Sequence, residues 1–352
     1  MVRLLTNDDV EALVDMPAIV ESLEELYRQI GEGTAMTRPR TDVHAPTTEN
    51  EGEYYRFKTM GGINPAKGVY GLRINSDILR WVDRDGYTVQ EKLPRAQGGR
   101  YAGLVLLFDA GDGTPLAIMP DGYMQKLRVG ATSAIGAKYL AREDVSTVGL
   151  LGAGWQAEGQ VAALAELFDI DHLSVYSPSE SKVEFAAWVE EEFGIDADPV
   201  DSAEAAFEAD IVHSATNSRS PVFETDWLRE GQHLGVINRT EIYPETLDVC
   251  DPTVVHSKHG KAENYRTADV NEDDIPYLNS AEYDYSQYPD LGELVVGDTP
   301  GRTNDDQISF FFNNIGMGAQ FAAVGAVAYE RALEGDRGQE LDTDLFTQAL
   351  VP

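Results

Sequence analysis

The stretch STVGLLGAGWQAEG, residues 146–159, decides how the rest of the chain is read. Apolar and β-branched residues run into Gly152, Ala153 and Gly154, and WQAEGQVAALAELFD beyond them has the composition of a helix. Gly152-x-Gly154-x-x-Ala157, closing a strand and opening a helix, is a dinucleotide fingerprint with alanine in third place. Gly152 permits the tight turn, Gly154 lets backbone approach a pyrophosphate, and Ala157 lets helix and strand pack closely. The N–H groups and positive dipole end of the helix then face the phosphates. Ala153 and Gln156 complete the cofactor-binding turn.

The surroundings separate this stretch from an ordinary tight turn. After it come HLSVYSPS (strand), ESKVEFAAWVEEEFG (helix), ADPVD, SAEAAFEAD (helix), IVHSATNS (strand) and WLREGQHLGVI, which ends in a strand. DPTVVHSK reads as one more strand, and the segment from it to residue 309 as acidic helix or loop. Strands alternating with helices predict a parallel sheet with crossovers. Before the fingerprint, PDGYMQKLRVGATSAIGAKYLARED reads as one long Ala-rich helix. Further upstream, NDDVEALVDMPAIVESLEELYRQIGEG predicts two short helices, capped by Asn7 or Asp8 and ending at Gly31 or Gly33. YYRFKTM, VYGLRINSD and GLVLLFDA then read as strands of an antiparallel sheet. The polar run LRWVDRDGYTVQEKLPRAQGGRYA reads as a surface excursion or a lid. QISFFFNNIGMGAQFAAVGAVAYERALEG is a short strand or turn and a long helix able to pack back on the first part. The fold class is α/β: a Rossmann-type doubly wound parallel sheet with an α+β domain beside it.

The end of the second strand selects the dinucleotide. NAD sites carry an acid there for the ribose 2′-hydroxyl. SPSESK offers Ser177, Ser179 and Lys182, which suit a 2′-phosphate, so NADP is favoured over NAD. Ala215, Thr216 and Asn217 follow the strand IVHS, where the ribose and nicotinamide pass.

Composition limits the partners. With 61 acidic against 27 basic residues the net charge is −34, a field that repels nucleic acid and anionic membrane. The acid is spread along the chain, in AREDVST, in VEEEFGIDADPVDSAEAAFEAD and in NEDDIPY, and lysine is scarce. This is the composition of halophilic proteins, whose self-repulsion concentrated salt screens. No apolar run reaches membrane-spanning length, and the start turns acidic too early for a signal peptide, so a cytoplasmic protein is expected. The single cysteine, Cys250, excludes an internal disulfide. His256 and His259 in HSKH read as solvated, His213 as a buried strand residue, His44 as near the site, and no metal is expected.

MQKLRVGATSAIGAKYLARED running into VGLLGAGWQAEGQ resembles the ornithine cyclodeaminase/mu-crystallin family. TRPRTDVHAP, MGGINPAKGVYGLRINSD and GRTNDDQISFFFNNIGMGAQFAAVGAVAYERA support the resemblance, which covers most of the chain. It implies a substrate-binding and dimerisation domain (1–127 with 310–352) joined to a dinucleotide domain (128–309), and a homodimer. It implies hydride transfer at the C–N bond of a small amino or imino acid, as in imino-acid reductases and alanine dehydrogenases. Arg40 and Arg128 match carboxylate-binding arginines, a role suited to the guanidinium fork. The resemblance puts the active-site lysine at Arg73 and the acid beside the substrate amine at Thr240, with Glu241 adjacent. Lys58 is a further cation for the site. Arg73 binds and polarises but does not act as a base. Without an acid at Thr240, one-way hydride transfer is easier than cyclodeamination, which needs a base near the distal amine. A cyclodeaminase and a non-catalytic cofactor-binding protein are the alternatives.

Overall fold

The computed structural model describes residues 1–47, 50, 52–84, 87–94, 98–270 and 284–349; NEDDIPY (271–277) lies outside them. The first part of the chain runs β1 (Val2–Leu4), α1 (Asn7–Leu13), α2 (Met16–Gly31), β2 (Met36–Thr37), β3 (Arg40–Pro46), β4 (Tyr54–Asn64), β5 (Val69–Arg84), β6 (Tyr87–Leu93), β7 (Ala102–Asp109), β8 (Pro115–Pro120) and α3 (Gly122–Leu140). Thr6, rather than Asn7 or Asp8, caps α1, in a capping box with Asp9 that satisfies two backbone donors at once. The second part runs β9 (Thr147–Leu151), α4 (Trp155–Leu167), β10 (His172–Tyr176), α5 (Ser181–Phe193), β11 (Asp196–Pro199), α6 (Ala203–Ala206), β12 (Ile211–Ser214), β13 (His233–Val236), α7 (Thr246–Val249), β14 (Thr253–Val255), β15 (Ala262–Arg266), α8 (Leu291–Val296), β16 (Ser309–Phe312), α9 (Gly318–Glu334) and β17 (Gln339–Leu341).

Two sheets organise these elements. One is parallel, in the order β11-β10-β9-β12-β13-β16-β14. Its chain order reverses between β9 and β12, the switch point where doubly wound sheets bind ligands. The other is mixed, in the order β15-β3-β4-β5-β7-β8-β1-β17, with β2 on β4 and β6 on β5. Along β5, Arg73, Asn75, Asp77 and Leu79 are buried, while Leu72, Ile74 and Ile78 between them stay half-exposed. Helix α9 lies on the mixed sheet through glycine. A Cβ on Gly71 would sit 2.6 Å from the backbone nitrogen of Ala322, so only a bare backbone lets the helix come this close.

Two further expectations change. Within the polar excursion, residues 79–84 and 87–93 are β structure: β5 continues to Arg84 and β6 pairs back on it, from Ile78↔Leu93 to Arg84↔Tyr87. Alternation along it is obscured because charged residues occupy both faces. Phe310, Phe311 and Phe312 pair with β13 and β14 in the parallel sheet, and β15 pairs in parallel with β3, from Ala262↔Arg40 to Arg266↔His44. Finally, His256 is 1% exposed with Nδ1 bonded to the carbonyl of Ile315, and is not solvated.

Candidate active site

The turn after β9 is built as a phosphate cradle. Gly152 has φ +103°, and a Cβ there would sit 2.6 Å from the carbonyl oxygen of Ala215. The glycine therefore lets the first βα turn press against the loop after β12. At Gly154 nothing lies within 4 Å of where a Cβ would sit, and no side chain caps α4 behind it. The first-turn N–H groups of Trp155, Gln156 and Ala157 are left for an anion. Gln156 Oε1 is buried without a hydrogen bond, and Ala157 is fully buried against the strand. Ala153 forms the half-buried lip. This geometry fits a dinucleotide.

At the end of β10 the hydroxyls of Ser177, Ser179 and Ser181 form a cluster, with oxygens 3.2, 2.7 and 3.3 Å apart. Ser181 was not among the sequence candidates, although it opens α5 two residues after Ser179. Lys182 does not join this cluster. Its Nζ donates to the carbonyl of Val200 at 2.8 Å and lies 3.6 Å from Asp201, because its place in α5 points it toward β11.

The substrate side is one face of the mixed sheet. Cross-strand register aligns Asp42, Lys58 and Asn75 in one row, Met60 and Arg73 in the next, and His44, Arg56 and Asp77 in a third. Directly opposite residues of antiparallel strands share a face. Arg73 is buried and held by Asp121 of the α3 N-terminus, at 2.7 Å from Nε and 2.6 Å from the terminal nitrogen. Asn75 donates to the same Asp121 oxygen at 2.9 Å. Arg128 enters from α3, donating to Gln320 at 3.0 Å and Gln125 at 2.8 Å, while its Nε is buried without a hydrogen bond. Both guanidinium groups stack on Phe321 of α9, 4.7 Å (Arg73) and 5.3 Å (Arg128) from the ring centre. Burial, aided by Arg73, brings Arg128 down to about 9. Arg40 Nε lies 3.1 Å from Asp42. Lys58 makes no hydrogen bond or ion pair among the described residues. Burial first, and then Arg56, Arg40 and Arg73, hold its ammonium well below the usual lysine range, with Asp42 pulling the other way.

The structure thus gathers Arg40, Lys58, Arg73 and Arg128. Asp121, Gln125, Gln320 and Phe321 were not foreseen. Asp121 could have been found as the acid just ahead of the long helix; the other three have no local signal.

Thr240 and Glu241 have other work. The Thr240 hydroxyl donates to the carbonyl of Ser218 at 2.6 Å. Glu241 is fully buried. It accepts from the Thr216 N–H at 2.6 Å, the Thr216 hydroxyl at 2.5 Å and the Asn238 N–H at 3.1 Å. Burial pushes its carboxyl up to about 7 against those donors. With both oxygens engaged, Glu241 braces the loop of Ala215, Thr216 and Asn217 and is not disposed as a base for a distal amine. The reason is local: Asn238 and Glu241 form a reciprocal cap of a short 3₁₀ turn.

The chain matches the ornithine cyclodeaminase/mu-crystallin family over residues 2–336. It is similar to the alanine dehydrogenase of Archaeoglobus fulgidus, 29% identical over 349 residues that span 96% of this chain and 97% of that protein. It is also similar to the Delta(1)-pyrroline-2-carboxylate reductase of Bacillus cereus, 31% identical over 68% of this chain and 74% of that protein. Among solved structures, the Thermococcus litoralis Delta(1)-pyrroline-2-carboxylate reductase in complex with NADH and L-proline superposes with TM-score 0.77 at 27% identity, covering 96% of this chain and 100% of that one. An archaeal alanine dehydrogenase dimer with bound NAD gives TM-score 0.76 at 27% identity, covering 97% of this chain and 99% of that one. From Val2 to Asp336, then, this protein belongs to the ornithine cyclodeaminase/mu-crystallin family.

Proposed function

We propose that the protein is an NAD(P)-dependent oxidoreductase acting at the C–N bond of a small amino or imino acid, as an imino-acid reductase or an alanine dehydrogenase-like enzyme. The observation that carries this is a dinucleotide cradle in the same chain as a buried cationic face on which Lys58 makes no ion pair among the described residues. A dinucleotide with its pyrophosphate at Gly152–Ala157 would supply or accept the hydride through its nicotinamide. Arg128, with an unengaged Nε, and Arg40 bind the substrate carboxylate and so fix the reacting carbon. Arg73, neutralised by Asp121, keeps Phe321 and Arg128 in place and adds to the field that polarises C=N. Lys58, destabilised as an ammonium, exchanges a proton with the substrate nitrogen.

NADP is our preferred cofactor, because the Ser177–Ser179–Ser181 hydroxyls suit a 2′-phosphate and the first acid after β10 is Glu180, beyond Ser177 and Ser179; Lys182 contributes nothing to it. The occupied carboxyl of Glu241 disfavours a cyclodeaminase. Homodimerisation is supported by the outer face of the mixed sheet, where Val43 and Leu104 are 39% exposed beside half-buried Phe57, Leu72 and Ile74. An apolar sheet face of this kind requires cover. The net charge of −34 fits an enzyme of a salt-rich cytoplasm, where a nicotinamide pool is available.

The test is oxidation of NADPH and of NADH in molar KCl with cyclic imino acids and with pyruvate plus ammonia, followed by absorbance. Turnover with one of them, abolished in Lys58→Met, is expected. No oxidation with any of these substrates overturns the proposal.

A further inference from the structure

Three acids lie on the cationic face, and two of them accept hydrogen bonds through one oxygen, Asp77 from Arg56 and Asp121 from Arg73 and Asn75. Asp77 lies 3.0 Å from Arg56 and 3.2 Å from Lys92. Asp121 holds Arg73 and Asn75. The third, Asp42, is 0% exposed, and neither of its carboxylate oxygens accepts a hydrogen bond. Its ion-pair contact is Arg40 Nε at 3.1 Å. Its cross-strand partner in the β3–β4 register is Lys58. Such pairs have Cβ atoms roughly 5 Å apart. A carboxylate this deeply buried, with neither oxygen hydrogen-bonded, is costly unless its charge is used.

We propose that Asp42 is a positioning residue that keeps Lys58 in its ammonium form beside the substrate nitrogen. The inference rests on Lys58 being the proton-carrying group proposed above. The charged and titratable groups that act on Lys58 or feel its charge are Arg40, Asp42 and His44 from β3, Arg56 from its own strand, and Arg73 and Asp77 from β5. Arg40, Arg56 and Arg73 all oppose a charge on Lys58, and Asp42 supports one. Without Asp42 the lysine sits among arginines with the remaining acids committed elsewhere.

The test is Asp42→Asn, nearly isosteric, with two readouts on the cofactor-loaded protein. The first is the pH dependence of Lys58 acylation by an anhydride, followed by mass spectrometry. It reports the lysine's charge without turnover. The curve is expected to move about 1–3 pH units lower, the usual effect of an opposite charge at this range. The second is the pH profile of imine reduction, whose alkaline limb moves down by a similar amount with KM for the imino acid little changed. Asp42→Glu restores part of both shifts. A superimposable acylation curve in Asp42→Asn overturns the proposal, as does a raised KM with an unmoved pH profile, which would make Asp42 a substrate contact. If Asp42→Asn does not fold, Asp42→Ser is read in the same way. Should Lys58→Met retain turnover, the proton role of Lys58 fails, while the acylation curve still decides what Asp42 does to it.

Discussion

Acid sensitivity built into the parallel sheet gives a quantitative test. His213 sits on β12, 1% exposed, with Nδ1 2.9 Å from the amide oxygen of Gln160. That oxygen accepts, so Nδ1 carries the proton. Nε2 is without a hydrogen bond, and it faces Gly235, where a Cβ would lie only 2.4 Å from it. A second proton on this ring would be buried with no acceptor. Burial accordingly drops the imidazole from 6.5 to about 3. Because the folded-state value is depressed, the histidine's contribution to stability is complete above 6.5 and is lost as pH falls from there toward 3. At pH 5 the unfolded chain gains about 2 kcal/mol from protonating this one residue (1.5 units at ~1.36 kcal/mol each). His213→Gln retains a donor for Gln160 and removes the titration. Urea unfolding in constant high KCl, at pH 7.5 and pH 5, should show a pH-dependent loss about 2 kcal/mol smaller in the variant than in the parent. The other titrating groups cancel in that difference, including Glu241, whose raised carboxyl gains stability as pH falls through about 7. Equal pH-dependent losses in the two proteins would refute the reasoning.

Other perturbations bear on the site. Arg128→Ala should lower kcat/KM by about 100-fold or more, the cost of a lost charge-assisted carboxylate contact, mainly through KM in steady-state assays. Gly152→Ala, which places a methyl 2.6 Å from a carbonyl oxygen at φ +103°, should weaken cofactor binding at least ~10-fold by fluorescence titration. Ser177→Ala should raise KM for NADPH several-fold and leave KM for NADH unchanged. Leu104→Glu should yield monomers by light scattering, since it places a charge in the apolar sheet face.

The cradle was legible because strand, glycines and helix are contiguous, and Gly152 is required by local geometry. Arg40, Arg73 and Arg128 were legible through the resemblance to the family, but Gln125, Gln320 and Phe321 beside them were not. Arg73 meets Asp121 and Phe321 only after the meander has closed and α9 has docked across it. The β5–β6 pair reads as a loop because the charged Arg80 and Glu91 fall on one face and Lys92 on the other, which blurs the period-2 signal. β15 is invisible in sequence because its pairing partner, β3, lies some two hundred residues earlier and imposes a strand on the polar run AENYR. Glu241 shows the converse. An acid adjacent to an expected catalytic position was spent on capping a turn.

The edge of the mixed sheet carries a consequence for how the molecule is made. β1 pairs with β17, Val2 opposite Leu341, while also pairing with β8. β1 leaves the ribosome long before β17, and its outer hydrogen bonds stay unmet until that strand arrives. Contacts this remote in sequence are slow to form, because the intervening chain must be ordered first. Until then the growing polypeptide presents an open strand edge and an uncovered apolar sheet face. Its abundant negative charge, by keeping nascent copies apart, protects that interval as well as the finished enzyme.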